Sequence, residues 1–208
     1  MTEPVYINLA FEDALSEAVL RKLLHVSHRC YQVHVLYGGK GSGYLKQRIS
    51  AFNNAAKGVP YLVLADLDTY SCPPDLLNAW LPRHRSSNLL FRVAVREVEA
   101  WLLADRRNLA RFLGVQIDLI PLNSENLADP KAALINLARH SRHGELRKDI
   151  CPPSGSTSQI GPGYNGRMSG FVADLWDPRN AALCCTSLSG AIRALDAFAF
   201  LGTEDSSQ

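Results

Sequence analysis

Glu12, Asp66 and Asp68 are the residues of this chain whose type and setting point to chemistry. Glu12 follows an alternating, strand-forming run from Val5 to Phe11, and Asp66 ends the unbroken apolar run Tyr61-Leu62-Val63-Leu64-Ala65. Asp68, two residues on, points the same way as Asp66 if the backbone stays extended. In an open parallel sheet, ligands gather beyond the carboxyl ends of the strands, where the chain reverses its winding. Three carboxylates meeting there repel and raise one another's proton affinity, so they call for a hard divalent cation with oxygen ligands, Mg²⁺ (or Mn²⁺). A plainer role is open to the same residues. Acidic groups after strands cap helices and build turns, and Asp13 or Ser16 can cap the helix that follows Glu12.

Other polar residues extend or flank this constellation. Glu97 and Glu99 open a helix whose Val98, Trp101 and Leu102 face the core, so both can complete a metal shell. They equally suit a first helical turn favoured by the dipole. Asp105 would fall on the apolar stripe of a continuous helix, which predicts a break there with Asp105 capping Arg106 to Leu113. The loop Gly38 to Gly43 carries Lys40 but lacks the spacing of a P-loop. Feeding a helix N-terminus, it can still meet a phosphate, or be a plain flexible connection. The densest basic run contains Arg139, His140, Arg142, His143, Arg147 and Lys148 and suits contact with a phosphate backbone, although such runs also form ordinary solvated faces. Tyr164, Asn165 and Arg167 fall in a glycine-rich loop able to close over a substrate or partner. No histidine or cysteine has a recognisable partner as a covalent nucleophile, which favours hydrolysis by a metal-activated water.

The elements that must position these groups alternate. Strands are expected over Val5–Phe11, Tyr31–Tyr37, Tyr61–Ala65 and Leu89–Val95. Helices are expected over Ser16–Leu24, Tyr44–Asn54, Pro73 to about Leu81, and Glu97–Leu103. Strand-helix alternation predicts an α/β fold: a Rossmann-like parallel sheet flanked by helices. Beyond Asp105 the pattern is helical, with Arg106–Leu113, Pro130–Arg139 and a last helix through Phe200 capped by Ser187 or Ser189. A Pro-, Ser-, Gly- and Thr-rich loop is expected from Cys151 to Gly166, and the tail from Thr203 is expected to fray. We read residues 1–208 as one domain, a core of about 1–115 and a helical C-terminal extension of about 116–202. There is no internal repeat. Apolar residues make up 47% and charged residues 20% of the chain, enough for a sizeable core, while a net charge of +2 announces no nucleic-acid binder by bulk attraction. Five scattered cysteines without a C-x-x-C pair argue against a disulfide framework or zinc site. Apolar runs are too short to span a bilayer and no leader precedes Val5, so a cytoplasmic location is expected.

Phe11-Glu12-Asp13-Ala14-Leu15-Ser16-Glu17, followed by Leu64-Ala65-Asp66-Leu67-Asp68, resembles the glutamate and D-x-D motifs of the Toprim domain, shared by topoisomerases, primases and some nucleases. Val95-Arg96-Glu97-Val98-Glu99-Ala100-Trp101-Leu102-Leu103-Ala104-Asp105, then Asp129-Pro130-Lys131, Gly161-Pro162-Gly163-Tyr164-Asn165-Gly166 and Ser187-Leu188-Ser189, is similar to small stand-alone Toprim-like proteins of unassigned function. Those are often encoded beside an ATPase of ABC or AAA type in bacterial defence loci. The resemblance implies a Toprim-like sheet, Glu12 as general base or metal ligand, and Asp66 and Asp68 as metal ligands. It also implies a Mg²⁺-dependent nuclease acting on nucleic acid, DNA first, with such an ATPase as partner. The rival expectation is a regulatory or assembly subunit that binds the ATPase without turning over substrate. One departure is local: Asp13 stands where the family's glutamate is usually followed by glycine, so a fourth carboxylate can enter the site. The chain has no room for strand passage or primer synthesis.

Overall fold

Strand β3, Tyr61–Asp66, is apolar up to its last residue because it is covered on both faces, and it places that last residue at the end of the sheet. The computed structural model describes residues 3–200, so the tail from Thr203 lies outside the described residues. Strands β1 (Val5–Ala10), β2 (Tyr31–Tyr37), β3 and β4 (Leu89–Ala94) form one all-parallel sheet in the order β2-β1-β3-β4. The fold is therefore α/β, Rossmann-like, with helices against both sheet faces. The order fixes the place where winding reverses. From β1 the chain steps outward to β2, then returns across β1 to β3 and β4, so the crevice lies between the tips of β1 and β3.

Alternate side chains serve two cores. Ala10, Val63, Ala65, Phe91 and Val93 pack against α2 (Gly41–Ala55) and α3 (Pro73–Trp80). Ile7, Leu9, Leu62, Leu64 and Leu90 belong to the larger core, which includes α1 (Ala14–Val26), α4 (Val98–Ala104) and α5 (Arg106–Leu113). That core continues through α6 (Pro130–Arg139), α7 (Gly144–Ile150), α8 (Tyr164–Asp174), α9 (Pro178–Ala181) and α10 (Thr186–Asp196). The helical extension thus shares the apolar interior of the sheet. No described helix is long and apolar enough to cross a membrane, and all five cysteines are free thiols.

Several expectations are corrected. The segment expected as a loop to Gly166 yields α8 from Tyr164, because Tyr164, Met168, Phe171 and Val172 form a buried helical stripe. Gly161 and Gly163 are there for closeness: a Cβ at Gly161 would stand 2.3 Å from the Asp149 carbonyl, and one at Gly163 2.7 Å from the Asp149 Cβ. The last helix begins at Thr186 and stops at Asp196, four residues short of Phe200. Neither Ser187 nor Ser189 caps it; the Glu125 carboxylate accepts from the N–H groups of Thr186 (2.8 Å) and Ser187 (2.9 Å) instead. Asp105 does break the helix, yet its side chain gives α5 no cap bond. Fully buried, it accepts from Asn108 Nδ2 (2.8 Å), the Asp177 N–H (2.8 Å) and Asn180 Nδ2 (3.0 Å), tying α9 to the end of α4.

Candidate metal centre

Parallel pairing of β1 with β3 brings residues more than fifty apart in sequence to one place. Glu12, two residues beyond β1, accepts the Asp66 backbone N–H at Oε1 (3.1 Å). Asp66, half-buried at the tip of β3, accepts the Val98 N–H at Oδ1 (3.0 Å) and so satisfies the start of α4. Asp13 takes the plainer role: it caps α1 through the Ser16 N–H (2.8 Å).

Asp68 does not continue the strand. Its φ of 49° is left-handed, so the extended backbone expected from Asp66 to Asp68 is replaced by a sharp turn. Aspartate tolerates this conformation better than most residues, and the turn is held from outside. The Asp68 N–H donates to the Arg96 carbonyl (3.1 Å), while Arg96 Nη1 donates to the carbonyls of Asp68 (3.2 Å) and Tyr70 (3.1 Å). Leu67 turns into the core and the Asp68 side chain stays exposed, close enough to Glu12 and Lys131 for all three to feel one another's charge.

Glu97 and Glu99 reach the same crevice but are engaged by Lys131, the second residue of α6. Lys131 Nζ lies 3.8 Å from Glu97 Oε1 and 3.4 Å from Glu99 Oε1, and the Lys131 N–H donates to Glu97 Oε2 (3.0 Å). Glu99 is only 2% exposed and accepts the Tyr164 hydroxyl at 2.8 Å. Tyr164 is therefore a buried strut and not part of a mobile loop as expected; Arg167 faces outward to pair with Asp149 (2.7 Å). The role of Lys131 escaped the sequence reasoning. Its signal was a lysine in a first helical turn, where the helix dipole disfavours a cation, directly after Asp129-Pro130. Asp129 caps that turn through the Ala132 N–H (2.7 Å) and so fixes where Lys131 stands.

The charge balance is negative. Burial, opposed by the Asp66 N–H and increased by Asp68 and Asp13, raises the Glu12 carboxyl to about 7. Burial, then Glu99 and Glu12, pushes Asp66 well above the usual carboxylate range, and burial raises Glu99 although Lys131 opposes it. Lys131 is desolvated, yet Glu99, Glu97 and Asp66 together hold its ammonium above its ordinary value. One ammonium thus faces a carboxyl cluster whose proton affinity is raised first by burial and then by the neighbouring carboxylates. Among the described residues no three carboxylate, imidazole or thiolate groups already close around a single point. The donor set itself is all oxygen and excessively anionic, which suits a hard divalent cation. Glu12, Asp66 and Asp68 feel the Lys131 charge but make no ion pair with it among the described residues, and they would hold such a cation.

The expected phosphate-contacting residues divide. The Gly41 N–H donates to the Glu12 carbonyl (3.1 Å), so the glycine-rich loop lies against the crevice; Lys40 is exposed at its rim, 5.2 Å from the Tyr44 ring centre. Arg139 at the far end of α6, Arg142 in the connection that follows, and Arg147 and Lys148 on α7 are all exposed. Eight residues of helical rise, about 12 Å, separate Arg139 from Lys131 along α6. Arg147 donates to the Ser141 carbonyl (3.0 Å) and Lys148 pairs with Glu145 (2.9 Å), so these four do not enter the crevice. No protein-family model, curated protein or solved structure matches this chain.

Proposed function

We propose that the protein is a Mg²⁺-dependent nuclease of Toprim type that hydrolyses phosphodiester bonds, DNA first, with Glu12, Asp66 and Asp68 at its centre. The observation that carries this reading is the contact of Glu12 Oε1 with the Asp66 N–H across two neighbouring strands. It sets two sequence-distant carboxylates side by side at the point where the sheet reverses its winding. A bound Mg²⁺ supplies Lewis-acid stabilisation of phosphoryl charge and a water of lowered pKa. Glu12, titrating at about 7, is suited to accept the proton of the attacking water. Asp66, whose Oδ1 is oriented by the Val98 N–H, and Asp68, whose backbone carbonyl is held by Arg96, would provide oxygen ligands, and Lys40 offers a cation at the rim for a substrate phosphate. The distal basic run of Arg139, Arg142, Arg147 and Lys148 fits the backbone of a longer substrate. A cytoplasmic setting, and an ABC- or AAA-type ATPase as activating partner in anti-phage defence, complete the proposal.

The test is cleavage of single- and double-stranded DNA and RNA in Mg²⁺ or Mn²⁺ by wild type and Asp66→Asn. The asparagine keeps an oxygen for the Val98 N–H, so folding should persist while cleavage is lost. Undiminished cleavage by that variant overturns the assignment.

A second reading is favoured by Lys131. Its ammonium already neutralises part of the cluster, as in a site that has exchanged catalysis for structure, which fits a regulatory or assembly subunit of the same ATPase. Calorimetry showing no Mg²⁺ or Mn²⁺ binding, with tight binding to the ATPase, would select it.

A further inference from the structure

Arg92 is out of place by its strand position. It lies in β4 between Leu90 and Ala94 on the same sheet face, and its register partner on β3 is Leu64, three positions that belong to the larger core. Among the described residues its Nε is shielded from solvent without a hydrogen-bond partner, and no carboxylate forms an ion pair with it. Burial, reinforced by the neighbouring charge of Arg85, depresses its proton affinity. A guanidinium whose Nε is shielded and unbonded is costly, and a second guanidinium beside it adds repulsion.

The two arginines open onto one cavity of about 300 Å³, lined also by Ser86, Ser87, Ala194 in the last turn of α10 and Phe198 just beyond it. Arg85 and Ser87 are exposed on its outer wall, and neither side chain has a partner among the described residues. The cavity lies beside the start of β4, at the end of the sheet opposite the carboxylate crevice. We propose that this pocket binds a phosphate group, with Arg92 as the inner anchor, Arg85 as the outer clamp and the Ser87 hydroxyl as a further donor. Planar guanidinium groups offer paired N–H donors that match oxyanion geometry, and a phosphate there satisfies the stranded Nε while cancelling the repulsion between the two arginines. The walls of Ala194 and Phe198 lower the local dielectric and strengthen the contact.

The full-length protein, free of divalent metal, is titrated with inorganic phosphate against chloride at matched ionic strength, and thermal unfolding and calorimetry are read. Phosphate should raise the unfolding temperature, by about 3–5 °C for each tenfold excess beyond the dissociation constant. Arg92→Met should abolish that increment while unfolding in chloride at the wild-type temperature or above, because it removes an unpaired charge. Arg85→Gln, at an exposed position, should weaken phosphate binding at least tenfold and keeps the test open if the methionine variant fails to fold. A 5′-phosphorylated oligonucleotide run in parallel separates the sources: binding tighter than inorganic phosphate assigns a nucleic-acid end, and weaker binding assigns the free ion. A wild-type protein indifferent to phosphate, or an increment that survives both substitutions, overturns the proposal.

Discussion

Replacing Glu12 by glutamine isolates the electrostatic claim on which the carboxylate site depends. The folded protein holds the Glu12 proton to about pH 7, against an ordinary value of 4.5. In metal-free buffer the stability linked to that proton is present in full below pH 4.5 and is lost as pH rises through 7. The interval corresponds to about 3 kcal/mol at 25 °C, or about 2 kcal/mol once partial exposure of the side chain is allowed for. Glutamine mimics the protonated acid and keeps the oxygen that accepts the Asp66 N–H, so it removes the penalty without removing the contact. Urea denaturation in a chelator should find Glu12→Gln and wild type within 1 kcal/mol of each other at pH 4.5, and the variant about 2–3 kcal/mol more stable at pH 8. Mg²⁺ at a hundred times its dissociation constant should return about 2.7 kcal/mol to the wild type at pH 8. It should return much less to the variant. Parallel pH profiles for the two proteins, or a variant less stable at pH 8, would refute the idea that burial and neighbouring carboxylates hold the Glu12 proton.

The surrounding residues carry their own predictions. Lys131→Met strands Glu97 and the buried Glu99 without a cation, and should destabilise by about 3 kcal/mol at pH 8 by chemical denaturation, with a smaller loss as pH falls, because burial raises the proton affinity of Glu99. Tyr164→Phe deletes the one hydroxyl bond to Glu99 and should cost about 1.5–3 kcal/mol with the fold unchanged by circular dichroism. Asp105→Ala leaves three donors unsatisfied in the core and should cost at least about 3 kcal/mol, more than any exposed acid-to-alanine change on α7.

The sheet was legible because its residues obey one rule each. Tyr61 to Ala65 is apolar without interruption, which only a strand covered on both faces demands, and the structure places that run beside β1 and β4. The Glu12–Asp66 juxtaposition was legible for the same reason: strand tips in a parallel sheet have few places to go. Asp68 was half legible. Its sequence position gave its neighbourhood, but the left-handed turn depends on Arg96 reaching back to two carbonyls, a tertiary contact that no local pattern encodes. The extension was read least well. α8 is short and begins in a glycine-rich stretch, and the reason for those glycines, the close approach of Asp149 to Cys151, exists only once α7 and α8 have met. Lys131 was missed because a lysine in a loop-helix junction reads as solvated unless one knows that Glu97 and Glu99 lie opposite.

These corrections bear on how many ions the crevice can take. A shell built from Glu12, Asp66, Asp68, Glu97 and Glu99 would offer five carboxylates, enough for two cations. The structure divides them: Glu97 and Glu99 close on Lys131, with Tyr164 as a further donor, while Glu12 and Asp66 lean on backbone N–H groups and keep oxygens for other partners. Lys131 therefore neutralises part of the cluster, so in the proposed nuclease the carboxylates left for a metal would be Glu12, Asp66 and Asp68, a set suited to one ion. Burial and neighbouring carboxylates raise the proton affinity of Glu12 and Asp66, the pair that makes no ion pair with Lys131 among the described residues. Under the proposed function, Glu12 would be the group that accepts the proton of the attacking water, and its protonation would then set the pH dependence of hydrolysis.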